Sequence, residues 1–120
     1  MNKDIKKAWV AALRSGEYEQ GKNYLHTSDD KFCCLGVLCD LAVKAGKVEM
    51  TPPHSTPAPV AYRYNRSFAM PPSVVQEWAG LEDADPYVDW SGGEGNYTLS
   101  SLNDLGTSFS DIADLIEKQL

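Results

Sequence analysis

Three cysteines, two histidines and two clusters of cationic and aromatic side chains are the groups in this 120-residue chain with chemistry to offer. Cys33 and Cys34 stand where a helix is expected to begin, and a helix N-terminus favours a thiolate. With His54 downstream as base, they would form the nucleophile–base pair of a small cysteine hydrolase. The competing reading is packing, since free cysteine is among the most buried residue types. Cys34 and Cys39 are five positions apart, about 500° around a helix of 3.6 residues per turn, so they do not share a face. No histidine stands at ligand spacing beside them, and the sequence calls for no metal and no cofactor. His26, the other histidine, lies in a polar segment and reads as a solvated side chain.

The second group is richer. Arg14, Tyr18, Gln20, Lys22 and Tyr24 lie close together in the chain, and Tyr62, Arg63, Tyr64 and Arg66 form a second set. A guanidinium or ammonium beside a tyrosine can hold a phosphate while the ring stacks on a base or ribose. The candidate ligand-binding residues are therefore Arg14, Tyr18, Gln20, Lys22, Tyr24, Arg63 and Arg66, with Asn103 and Asp104 as polar additions. By local pattern alone, Asn103 and Asp104 read as the end of a short helix. Glu82, Asp83 and Asp85 precede Pro86 in a turn-like context that reads as loop solvation. Gly92-Gly93-Glu94-Gly95 lacks the Lys-Ser/Thr ending of a phosphate-cradling loop.

Charge narrows the ligand. The net charge is −6. Residues 1–66 hold ten Lys/Arg against seven Asp/Glu, whereas residues 67–120 hold Lys118 alone against ten Asp/Glu, so the halves differ by +3 to −9. Binding a nucleic-acid polymer requires a basic surface that displaces counterions, and this chain has none. Cationic sites in an acidic body suit a small anionic ligand. The acidic half reads as a solubilising surface or as a face for a basic protein.

The elements that must position these groups follow from periodicity. Ile5, Ala8, Trp9, Ala12 and Leu13 form one stripe of a helix over 3–14, with Trp9 in the core. Residues 18–24 alternate as a short strand or extended loop, and Thr27-Ser28-Asp29-Asp30 is a turn or cap. Phe32, Leu35, Leu38, Leu41 and Ala42 predict a buried helix over 32–45, stopped at Gly46. Residues 50–60, with four prolines, form a surface loop. A short strand over 62–66, a helix opened by Pro71-Pro72 and ended by Gly80, and strand candidates at 87–90 and 97–99 follow, the last two joined by residues 91–96 as a hairpin connection. Leu99, Leu102 and Leu105 make a short helix. Thr107 or Ser108 caps the last one, striped by Phe109, Ile112, Leu115 and Ile116. The sum is one small, helix-rich α+β domain spanning 1–120.

The end of the chain imitates the opening of a helix-turn-helix, but no basic recognition helix follows, and Asp111, Asp114 and Glu117 make the last helix acidic. No apolar run approaches the roughly 18 residues of a membrane span, and the N-terminus lacks the apolar region of a signal peptide. Three cysteines within seven residues are no secreted disulfide framework. The expected compartment is the cytoplasm, with no membrane partner.

Three stretches together carry a resemblance: Trp9 to Gln20 (WVAALRSGEYEQ), Phe32 to Ala42 (FCCLGVLCDLA) and Leu102 to Ile116 (LNDLGTSFSDIADLI). They resemble a group of short, uncharacterised proteins encoded mainly by phages and prophages. The resemblance implies a small protein acting in the cytoplasm of an infected bacterial cell and assigns no residue a role. In that setting, the reading is a non-enzymatic anti-defence protein that sequesters a small anionic, nucleotide-derived host signal. The alternatives are the cysteine-dependent hydrolase and an acidic interaction module that inhibits a host protein. Sequestering proteins often build pockets between subunits, so the first reading allows a homo-oligomer.

Overall fold

Side-chain caps open the helices that begin at Lys3, Cys34, Leu99 and Phe109 in the computed structural model, which describes residues 1–55, 60–90 and 95–120. Helix α1 spans Lys3–Arg14, and the Asn2 side-chain oxygen accepts from the amides of Asp4 and Ile5 at 2.9 and 3.0 Å. Those amides have no partner inside the helix, so the cap satisfies two orphan donors. The helix buries Trp9, Val10 and Leu13. Ala8, expected on the stripe, is exposed. Packing against α5 (Phe109–Gln119) and α2 (Cys34–Lys44) selects the Val10 flank of the stripe instead.

Helix α2 is the centre of the core. Cys34, Leu35, Gly36, Val37, Leu38, Cys39 and Ala42 are all buried, and the helix meets α1, α3 (Ser73–Ala79) and α4 (Leu99–Asp104). It is two residues shorter at its start than the periodicity suggests. Phe32 is extended and bridges Gln20 and His26, because its ring is needed outside the helix. Helix α3 starts after Pro71-Pro72 and ends at Gly80, whose φ of 69° is left-handed. A Cβ there would stand 3.0 Å from the Asn2 nitrogen, which donates to the Ala79 carbonyl.

Two antiparallel ribbons complete an α+β fold. Strand β1 (Met50–Thr51) pairs with β2 (Arg63–Tyr64), matching Met50 to Tyr64 and Thr51 to Arg63. Strand β3 (Tyr87–Asp89) pairs with β4 (Asn96–Thr98), matching Val88 to Tyr97. Of the expected proline-rich loop, Met50–Thr51 is strand and Pro53–Ser55 a 3-10 turn, while residues 56–59 lie outside the described residues. Residues 91–94 of the expected hairpin connection lie outside them too. The free edge of β3 is closed by a side chain. Gln119 Nε2 donates to the Asp89 carbonyl at 2.9 Å, and the Asp89 amide donates to Gln119 Oε1 at 2.8 Å. This imitates one rung of a β-ladder and blunts the edge against pairing with another strand.

Ser108 caps α5 through the Asp111 amide, and α5 buries Phe109, Ile112, Ala113 and Ile116. The radius of gyration is 13.4 Å, as expected for one packed body of this length. Among the described residues, no helix is long and apolar enough to cross a membrane.

Candidate functional site

Most of the sequence-derived residues separate into a buried polar hub, an ion-paired arginine and a half-buried cation–aromatic patch. The hub is Asn103, which has no exposed surface. Its Oδ1 accepts from Gln20 Nε2 at 2.9 Å and from the Cys34 amide at 3.2 Å. Its Nδ2 donates to the Gly21 carbonyl at 2.8 Å and to Asp104 Oδ1 at 3.3 Å. Gln20 Nε2 also donates to the Thr107 carbonyl at 2.8 Å, and Asp104 Oδ1 accepts from the Asn23 amide at 3.2 Å. The cause lies in α2. A helix that starts inside the protein needs partners for its first amides. Asn103 takes the Cys34 amide, and Cys33 Sγ, at the N-cap, accepts from the Gly36 amide at 3.3 Å. Gln20, Asn103 and Asp104 thus tie the 20–23 loop to α2 and α4.

Burial sets the state of the thiols. All three cysteines are free and buried. Burial pushes the Cys33 thiol up to about 11, and Cys34 and Cys39 rise well above the ordinary value of 9.0 for the same reason. The helix N-terminus that could favour a thiolate acts here on groups removed from water, and desolvation outweighs it. His54 is exposed in its 3-10 turn, whereas the cysteines are buried, and among the described residues no hydrogen bond joins His54 to a cysteine. The nucleophile and its base are not brought together. Among the described residues, no group of three or more His, Cys, Asp or Glu is placed to hold a metal.

The histidine that matters is His26. Read from the sequence as solvated, it is 3% exposed. Its ring stacks between Phe32 at 3.8 Å and Tyr62 at 3.7 Å, with interplanar angles of 22° and 4°. Nδ1 faces the Tyr64 hydroxyl at 3.0 Å, and Nε2 faces Asp30 Oδ1 at 2.5 Å. Asp30 reaches this position with a left-handed φ of 65°, at the end of the turn that Thr27 closes by accepting from the Asp30 amide at 2.9 Å. The buried Tyr64 phenol is raised well above its ordinary range by desolvation, so it stays protonated and can donate to Nδ1. His26 therefore fastens the loop before α2 to strand β2.

Desolvation also lowers the His26 pKa below its ordinary 6.5, outweighing the opposing pull of Asp30 and Asp40. The unfolded chain then takes up a proton before the folded one does, so stability contributed by neutral His26 is present above about pH 6.5 and is lost as pH falls below it. The melting temperature should drop between pH 7 and pH 5, a window above the titration of ordinary carboxylates. His26→Gln should be less stable at pH 7 and nearly flat across that window. An equally steep fall in the variant would mean that another group carries the effect.

The half-buried patch is built on this clamp. The Leu25 amide donates to the Phe68 carbonyl at 2.9 Å, and the Tyr62 amide to the His26 carbonyl at 2.9 Å. Those bonds bring Tyr24, Arg63 and Phe68 together. The Arg63 guanidinium lies 4.6 Å from the Phe68 ring centre, and Tyr24 is 6.0 Å from it on a tilted plane. Arg63 Nη1 donates to the Arg66 carbonyl at 3.4 Å. Among the described residues, neither Arg63, Arg66 nor Lys22 forms an ion pair. An open groove of about 390 Å³ beside the patch is lined by Arg66, Phe68, Met70 and Pro71, among others. Phe68 carried no signal of its own in the sequence; only the backbone bond to Leu25 brings it to Tyr24.

A family model matches residues 1–120 in full. The chain belongs to the family described as Domain of unknown function (DUF8296). No curated protein and no solved structure matches it. In this DUF8296 chain the remaining two candidates lie apart from the patch. Arg14 pairs with Asp114 at 2.6 Å and Glu117 at 3.2 Å, joining α1 to α5. Tyr18 donates to Asp40 Oδ2 at 2.5 Å, accepts from Lys44 Nζ at 3.1 Å and meets the Phe32 ring edge-on.

Proposed function

We propose that this protein is a non-catalytic binder of a small anionic ligand with a stackable ring, of the nucleotide kind, held at Tyr24, Arg63, Arg66 and Phe68. One observation carries the reading: among the described residues Arg63, over the Phe68 ring, and Arg66, which lines an open groove with Phe68, have no carboxylate partner. Arginine offers a planar fork of donors to phosphate, and a neighbouring ring accepts the base by stacking. The groove volume falls in the range of small-molecule sites. Buried thiols of raised pKa weigh against the hydrolase alternative. With the resemblance to phage-encoded proteins, the biological reading is sequestration of a nucleotide-derived host immune signal in the bacterial cytoplasm.

The test is native mass spectrometry and calorimetric titration with a panel of nucleoside mono- and diphosphates and cyclic dinucleotides. The expected result is one stoichiometric adduct, released chemically intact on denaturation. Arg63→Ala should weaken it by about 10- to 100-fold, since a charge-assisted hydrogen bond contributes roughly 1.5–3 kcal/mol. Arg14→Ala should leave it unchanged. Turnover of the ligand would revive the enzyme reading, and no adduct across the panel would overturn the proposal.

A further inference from the structure

The opposite, acidic half carries a second surface that does not depend on the ligand patch. Leu105, just past the end of α4, is 71% exposed, more than any other large apolar side chain described. A single exposed leucine is ordinary. This one is part of a continuous surface. It lines two grooves, one of about 460 Å³ with Trp90 and Leu102, the other of about 400 Å³ with Tyr97. Trp90 in turn borders a third groove of about 480 Å³ together with Leu115. The three depressions are therefore linked through shared walls, Trp90 on one side and Leu105 on the other.

The rim is acidic. Asp111, Asp104 and Asp89 each line one of the three grooves, and among the described residues Lys118 is the one cation that lines any of them. Leu105, Trp90 and Tyr97 share these grooves with polar groups, and a rim charged with one sign suits a partner of the opposite sign. A chain of depressions with spaced apolar contacts suits an extended segment better than a flat face. We infer that this channel docks a basic, extended segment of a partner protein, with apolar side chains seated against Leu105, Trp90 and Tyr97 and Lys or Arg side chains meeting the aspartates. Charge favours a foreign partner over a second copy. Two copies at −6 each repel, and the +3 of residues 1–66 does not balance the −9 of residues 67–120. The Gln119 clamp on the edge of β3 closes that edge, so the segment is held through side-chain grooves and not by adding a strand.

The test uses three labelled 12-residue peptides, alternating Lys/Leu, Lys/Ser and Glu/Leu, titrated into the full chain with fluorescence polarisation and two-dimensional NMR. The Lys/Leu peptide should bind, shift the Trp90 indole signal, and lose at least about tenfold in affinity between 50 and 300 mM salt. It should bind at least about tenfold tighter than Lys/Ser. Leu105→Ser, a change at an exposed position that leaves the fold intact, should weaken Lys/Leu binding about tenfold, and Asp111→Asn a few-fold. Equal binding of Lys/Leu and Lys/Ser, shifts confined to other faces, or no binding would overturn the inference. So would concentration-dependent self-association that Leu105→Ser abolishes, because the face would then belong to a second copy.

Discussion

Replacing Gly36 with alanine is expected to cost at least about 3 kcal/mol, or to prevent folding altogether. A Cβ at Gly36 would stand 1.7 Å from the Leu25 carbonyl oxygen, 2.6 Å from its carbon and 3.1 Å from its Cα. These are backbone atoms, so no rotamer change relieves the clash. Moving Leu25 away is expensive, because its carbonyl accepts from the Cys33 amide at 3.1 Å and its amide donates to Phe68 at 2.9 Å. Moving α2 is no easier, since it touches α1, α3 and α4. Overpacking a well-packed core typically costs 1–3 kcal/mol, and rigid surroundings place this site at or beyond the top of that range. Alanine's better helix propensity returns at most about 1 kcal/mol. Urea unfolding of Gly36→Ala beside Gly46→Ala, where no heavy atom lies within 4 Å, separates the clash from the loss of a glycine. Gly46 itself has a φ of 73°, so its alanine variant carries the backbone strain alone. If Gly36→Ala cost no more than Gly46→Ala, the approach of Leu25 to α2 would be wrong.

The second large effect is at Asn103. Asn103→Ala should destabilise the protein by about 2–5 kcal/mol, because it leaves the buried Cys34 amide and the Gly21 carbonyl without partners. Each stranded buried group costs roughly 1–3 kcal/mol, whereas the bond itself contributes only about 1. Gln20 is spared part of the loss through its second bond, to the Thr107 carbonyl. The cavity left by the side chain adds to the cost. Asn103→Asp tests the donor half separately. It keeps the acceptor for Cys34 but turns a carboxyl group toward the Gly21 carbonyl and Asp104, so it should be destabilised at pH 7 and partly recovered at pH 5 as that carboxyl takes up a proton. A loss below about 1 kcal/mol for Asn103→Ala would mean that the first turn of α2 is satisfied some other way.

Local sequence located most of the helices because their signals are short-range. The stripe of α5, the Ser108 cap, the proline entry to α3 and the glycine after it need only neighbours within a turn or two. The strands expected over 62–66 and 87–90 are shorter in the structure, at Arg63–Tyr64 and Tyr87–Asp89. Pairing, not propensity, ends a strand, and β1 and β2 match over two residues only. The start of α2 lies two residues later than periodicity predicts for a related reason. Phe32 continues the apolar period, yet its ring is held against His26 and Tyr18, contacts that the sequence around it does not encode.

By itself, the amino-acid sequence determined the helix-rich α+β class, the buried character of α2, the division of charge between the halves and the residue types able to meet an anion. Tertiary structure alone decided which of those residues remain available. Arg14 and Arg63 are the same side chain in similar polar surroundings, but α5 brings two carboxylates to Arg14 and none to Arg63. Asn103 and His26 look like ordinary surface polar residues until α2 and strand β2 are laid against them. For Arg14, Asn103 and His26 the physical reason is shared: each is paired or stacked with groups 36 to 103 positions away along the chain, at a range where neither helical period nor turn preference carries information.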